Sequence, residues 1–208
     1  MNRVRTAVSL GFLVSVFDLT ARAQVFYSNT QSTEGINLGN AQPLADDINA
    51  TTARRIGAID VAYVNDGDLP IDLTFTVYNM SSTSILPLRS EIVGQHTFTG
   101  LPGGGPGAVE QRLRLTLPEP IRVIGASNWV ALRYENWGGT FMRTPLYGPP
   151  ELGISIDRVA VDDNADGNFD RFVQGSLSDH YSLYLRLYVP EPGSLLLLLA
   201  GAPLLRRR

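Results

Sequence analysis

Histidine and cysteine, the side chains that most often carry nucleophilic or metal chemistry, are scarce: the chain has His96, His180 and no cysteine. Disulfide, zinc-thiolate and thiol chemistry are therefore excluded. There is no Gly-x-Ser-x-Gly turn, and Asp179 beside His180 would point to the opposite face of a strand, so a nucleophilic triad has little to build on. Paired carboxylates could hydrolyse glycosides. The candidates Glu34, Glu91, Glu110, Glu135 and Glu151 are scattered, and their spacing equally suits a solvated acidic surface. Trp129, Tyr134 and Trp137 form the densest aromatic group. Exposed rings of this kind stack on sugar faces. The alternation of one strand would put Val130, Leu132 and Tyr134 on one face and Trp129, Ala131 and Arg133 on the other, so core packing is the competing reading.

The most regular pattern is acidic. Asp162, Asn164, Asp166, Asn168 and Asp170 place oxygens at every second position, with Gly167 where a sharp turn is needed. This spacing follows the first nine positions of an EF-hand or thrombospondin-repeat calcium loop. Position twelve is Val173, so the bidentate glutamate is missing, and the flanks read as strands. The loop is expected to bind calcium weakly or to be a solvated acidic turn.

The elements that must position these groups are strands. Ile71, Leu73, Phe75 and Val77 alternate with polar residues, as do Leu113, Leu115 and Leu117, and Leu183, Leu185 and Leu187. A period of two with one apolar face marks half-buried antiparallel strands. Weaker strand patterns cover 25–28, 56–64, 93–99, 121–126, 128–134 and 154–159. Turn signals separate them at 65–67, 102–107, 138–139 and 148–150. Residues 43–52 are the one stretch with room for a short helix. About eight strands predict an all-β fold, an antiparallel β-sandwich of jelly-roll or Greek-key type, over residues 24–188.

Both ends read as addresses. Arg3 and Arg5 precede an apolar run over 7–17, and Ala21-Arg22-Ala23 supplies the small residues that signal peptidase requires, leaving Gln24 as the new N-terminus. Residues 1–23 are thus expected to be a signal peptide. At the other end, residues 189–208 combine Pro190-Glu191-Pro192, a leucine-rich stretch and Arg206-Arg207-Arg208. Thirteen apolar-to-small residues, 193–205, would give about 20 Å of helix against about 30 Å of hydrocarbon. The arginines would remain on the cytoplasmic side. Setting aside three arginines and one acid at each end leaves 11 arginines against 18 acids. A body near −7 is a poor partner for nucleic acid.

The order of motif, apolar segment and basic end resembles the PEP-CTERM sorting signal. That resemblance covers the last twenty residues. It implies recognition by an exosortase, passage through the inner membrane by a short hydrophobic helix, and a final place on the cell surface or in the extracellular polysaccharide matrix. The expected function is a non-enzymatic structural or interaction module of that matrix. A carbohydrate-binding module using Trp129, Tyr134 and Trp137 is the alternative, and a glycan-acting hydrolase a more distant one.

Overall fold

The computed structural model describes residues 24–30, 33–39, 42–49, 54–80, 85–107, 110–123, 128–136, 141–153, 155, 158–173 and 181–190. The expected signal peptide with Ala21 and Ala23, the expected sorting tail from Glu191 onward with Pro192 and Arg206 to Arg208, and Trp137 lie outside the described residues. Among the described residues no helix is long and apolar enough to cross a membrane.

The alternating sequence folds as an all-β sandwich of two antiparallel sheets. The first contains β1 (Val25–Asn29), β2 (Thr33–Gly39), β4 (Arg54–Asn65), β7 (Gln111–Val123), β9 (Met142–Tyr147), β12 (Ser182–Leu183) and β13 (Leu185–Tyr188). Its central order is β1-β13-β4-β9-β12, with β7 beside β4 and β2 beside β9. The second contains β3 (Leu44–Ile48), β5 (Ile71–Asn79), β6 (Ile92–Leu101), β8 (Asn128–Glu135), β10 (Val159–Val161) and β11 (Arg171–Phe172), in the order β11-β10-β3-β8-β5-β6. The chain crosses repeatedly from one sheet to the other, so most pairings are distant in sequence. Pro118 and Pro120 are tolerated in β7 because, among the described residues, it pairs only with β4 and needs no donors on its outer side.

The main core lies between the sheets. Ile59 and Val61 of β4 and Leu185 and Leu187 of β13 meet Leu73, Phe75 and Val77 of β5 and Val130 and Leu132 of β8, all buried. These are the inward positions that the sequence alternation picks out. The short helix allowed over 43–52 is not found: β3 occupies that stretch, with Leu44, Asp46 and Ile48 facing inward. Asp46 is tolerated there because its carboxylate accepts the backbone N–H of Leu183 from the opposite sheet at 2.9 Å.

A second, smaller apolar layer covers the outer face of the second sheet. Tyr78, Trp129, Ala131 and Ala160 project outward there and are capped by Phe169 and Phe172. Phe169 arrives on the acidic loop 162–170, and a segment ending in a 3₁₀ turn, Arg89–Glu91, lies beside it. The backbone N–H of Phe169 donates to the carbonyl of Pro87 at 3.0 Å, which ties the two segments together.

The two ends of the body meet on one edge. Val25 of β1 pairs with Tyr188 of β13, and the N–H of Val189 donates to the carbonyl of Gln24 at 2.9 Å. Pro190 has no N–H with which to extend this ladder. It lies instead across Gly57 of β4, where a Cβ would stand 2.7 Å from the Pro190 Cα. Only glycine allows that approach.

Candidate functional site

The chemistry-bearing residues that come together do so above the outer face of the second sheet. Thr74, Thr76 and Tyr78 project from β5 because they alternate with the inward Leu73, Phe75 and Val77. Their neighbours are Ala131 and Arg133 of β8 and Gln95 of β6. The acidic loop, with Arg89 packed over its Gly167, rises above this floor and leaves a cleft of about 280 Å³. The floor groups are held in place: Thr74 Oγ1 lies 2.8 Å from Thr97 Oγ1, and Gln95 Nε2 donates to Thr76 Oγ1 at 2.8 Å.

The acidic loop closes on its own backbone. Asp162 is only 1% exposed, and its carboxylate accepts the N–H groups of Asp166 at 3.2 Å and Gly167 at 2.8 Å. Asn164 Oδ1 accepts the Asp166 N–H at 3.0 Å, and Asp166 Oδ1 accepts the Asn168 N–H at 2.7 Å. Asp170 Oδ2 accepts the N–H of Asp163 at 2.8 Å, and Asn168 Oδ1 accepts the N–H of Arg89 at 3.0 Å. Gly167 sits at φ +92° and Ala165 at φ +59°, the left-handed conformations this tight path requires. Asp163 faces away and forms an ion pair with Arg171 at 2.8 Å.

Calcium would have to share oxygens that already serve the loop. Among the described residues no group of three or more acidic or histidine side chains is placed to hold one ion. The remaining lone pairs of Asp162, Asn164, Asp166 and Asp170, the Asn168 carbonyl and water are the donors left to it. Tyr78 feels the same loop from below: burial first, and then the Asp162 charge, push its phenol up to about 12.

For Trp129 and Tyr134 the core-packing reading holds and the sugar-platform reading does not. Trp129 is 3% exposed and packs in the outer layer with its ring 6.1 Å from that of Phe172. Tyr134 is 2% exposed in the main core, where its hydroxyl donates to the Ala62 carbonyl at 3.2 Å. Neither ring is a surface platform for a sugar, because Phe172 and the loop cover one and the opposite sheet covers the other. Carboxylates suggested for hydrolysis are separated: Glu110 engages Arg112 and Tyr147, Glu135 engages Arg133, and Glu151 accepts the N–H of Thr30. His96 lies in β6 with its ring edge-on to Phe98 at 4.6 Å, and His180 is outside the described residues.

Sequence reasoning did not single out Thr74, Thr76, Tyr78, Arg89 or Gln95. The outward alternation of β5 marks the first three as sharing a face, but only the pairing with β6 and the return of the loop reveal a cleft.

The fold places the chain among all-β sandwich proteins. Compared with known proteins, it matches no family model, and no curated protein aligns with it significantly.

Proposed function

We propose that the protein is an exported module of the bacterial extracellular polysaccharide matrix, sorted through its C-terminal tail by an exosortase-type enzyme and acting by binding rather than catalysis. Signal peptidase would release Gln24. The tail would hold the chain transiently in the inner membrane before it reaches the surface or matrix.

One observation carries most weight. The body is bounded where the two addresses meet it: Gln24 and Val189 are hydrogen-bonded to each other on one sheet edge, and Pro190 breaks the ladder directly afterwards. A sandwich whose first and last strands pair at their ends can exchange both addresses without disturbing its core. The resemblance of Pro190-Glu191-Pro192 and the arginine end to the PEP-CTERM signal supplies the sorting step.

The test is to change Glu191 and Pro192 to alanine, which spares the Pro190 contact with Gly57. The variant should accumulate in the inner membrane with its tail attached. Distribution and processing identical to wild type would rule out the motif as a sorting signal.

Calcium binding at Asp162, Asn164, Asp166, Asn168 and Asp170 belongs to the same reading and rests on the spacing of their oxygens. The carbohydrate-binding alternative no longer has its aromatic platform in Trp129 and Tyr134, but the polar cleft above β5 offers it another location.

A further inference from the structure

The cleft holds an unused donor. Tyr78 is 3% exposed and lines the cleft, yet its hydroxyl makes no hydrogen bond among the described residues. The ring is buried while the hydroxyl itself is open to the cleft, where a ligand can accept from it. Beside it the floor offers Thr74 and Thr76 hydroxyls and the Gln95 amide, groups that both donate and accept.

The cleft also holds an unused charge. Arg133 forms an ion pair with Glu135 at 2.8 Å, whereas Arg89 has no ion pair among the described residues. The Arg89 stem runs over Gly167, where a Cβ would meet its Cγ at 3.3 Å, so the side chain is laid along the cleft wall. A guanidinium recognises a carboxylate through two parallel hydrogen bonds. Asp162 and Asp166 line the same cleft beside this stem and would repel a second anionic group, so the ligand is singly charged and otherwise hydroxylated.

Size narrows the class. About 280 Å³ is near the lower limit for small-molecule clefts. That suits one pyranose ring and not an extended oligosaccharide. Ile92 and Ala131 provide apolar surface for the C–H face of such a ring.

We infer that this cleft binds one carboxylated sugar residue, a hexuronate. Its carboxylate would lie on Arg89 and its hydroxyls on Thr76, Gln95 and the Tyr78 phenol. This deepens the matrix-module reading and rests on it for the source of the ligand. A polymer-bound uronate and a free sugar acid share this chemistry.

The test is isothermal titration of the full chain in detergent micelles with D-glucuronate, D-glucose and tetragalacturonate, with melting curves as a fold control. Glucuronate should bind saturably and at least tenfold more tightly than glucose. Tyr78→Phe should weaken glucuronate several-fold, and Arg89→Gln should abolish the preference over glucose. Tetragalacturonate binding at least as well as the monosaccharide supports a polymer residue as ligand; binding of the monosaccharide alone supports a free sugar acid. Absence of saturable uronate binding, equal affinity for glucose, or correctly folded variants that bind like wild type would overturn the assignment. None of those results bears on export or sorting, which the Glu191 and Pro192 variant tests separately.

Discussion

Replacing Asp162 with alanine should destabilise the body with or without calcium. The carboxylate holds the N–H groups of Asp166 and Gly167 from a position with almost no solvent access. Asp166 N–H keeps a second acceptor in Asn164, so its loss is partial. Gly167 N–H has no other acceptor among the described residues. A hydrogen bond to a charged group is worth about 1.5–3 kcal/mol. Relief from burying the charge offsets part of this, and a net cost of about 2 kcal/mol remains. In a domain of this size that lowers the melting temperature by about 4–8 °C. Thermal melts by circular dichroism in chelator read it directly, and a shift below about 1 °C would refute the account of the loop as held by Asp162. Asp166→Asn supplies the calcium arm, because it removes one charge but keeps the oxygen that accepts the Asn168 N–H. Calcium at ten times its dissociation constant should stabilise wild type by about 1.4 kcal/mol, with affinity in the range of about 10⁻⁴ to 10⁻³ M. Equal responses of wild type and Asp166→Asn to calcium and chelator would leave the loop a self-closed turn.

Two further outcomes follow from burial. Trp129→Ala should cost about 3–5 kcal/mol in urea denaturation, the range for a large buried aromatic, since the ring is packed against Phe172; a cost below about 0.5 kcal/mol would mean an exposed ring. Six tyrosines, Tyr63, Tyr78, Tyr134, Tyr147, Tyr184 and Tyr188, are raised above the ordinary value of 10, each chiefly by burial. Their folded pKa values exceed the unfolded ones, so the stability they contribute is complete below pH 10 and is lost as pH rises toward 12 and beyond. Each neutral buried tyrosine then costs about 1.4 kcal/mol per pH unit. Absorbance at 295 nm should therefore show one steep cooperative step coincident with unfolding above pH 10, and a shallow titration centred at pH 10 in a still-folded chain would contradict the burial.

The strands were legible where one face is apolar and the other is not. β5 carries uninterrupted alternation and lies where it predicts, whereas the run of Leu183, Leu185 and Leu187 is divided at Tyr184 between β12 and β13. β3 was obscured because its inward set contains Asp46, whose acceptor role depends on the Leu183 N–H some 137 residues away. Core packing is the commoner fate of a tryptophan in a sandwich, but what covers Trp129 is not legible, because the outer face of its sheet becomes an interior only when Phe169 returns on the loop. The acidic loop was visible from its oxygens, but not the fact that those oxygens turn inward on backbone N–H groups. Tyr78 carries no local signal at all: its hydroxyl is left unpaired by the particular way β6, the loop and Arg89 surround it.

Export followed by sorting through the tail, as proposed, leaves a mark on the mass of the mature chain. Intact-mass spectrometry of the protein recovered from the cell surface and matrix tests it most directly. The surface chain should begin at Gln24, and the Glu191 and Pro192 variant should be depleted from that fraction and found in the inner membrane. A surface chain that begins at Met1, or a variant recovered from the matrix in wild-type amount and mass, would contradict it.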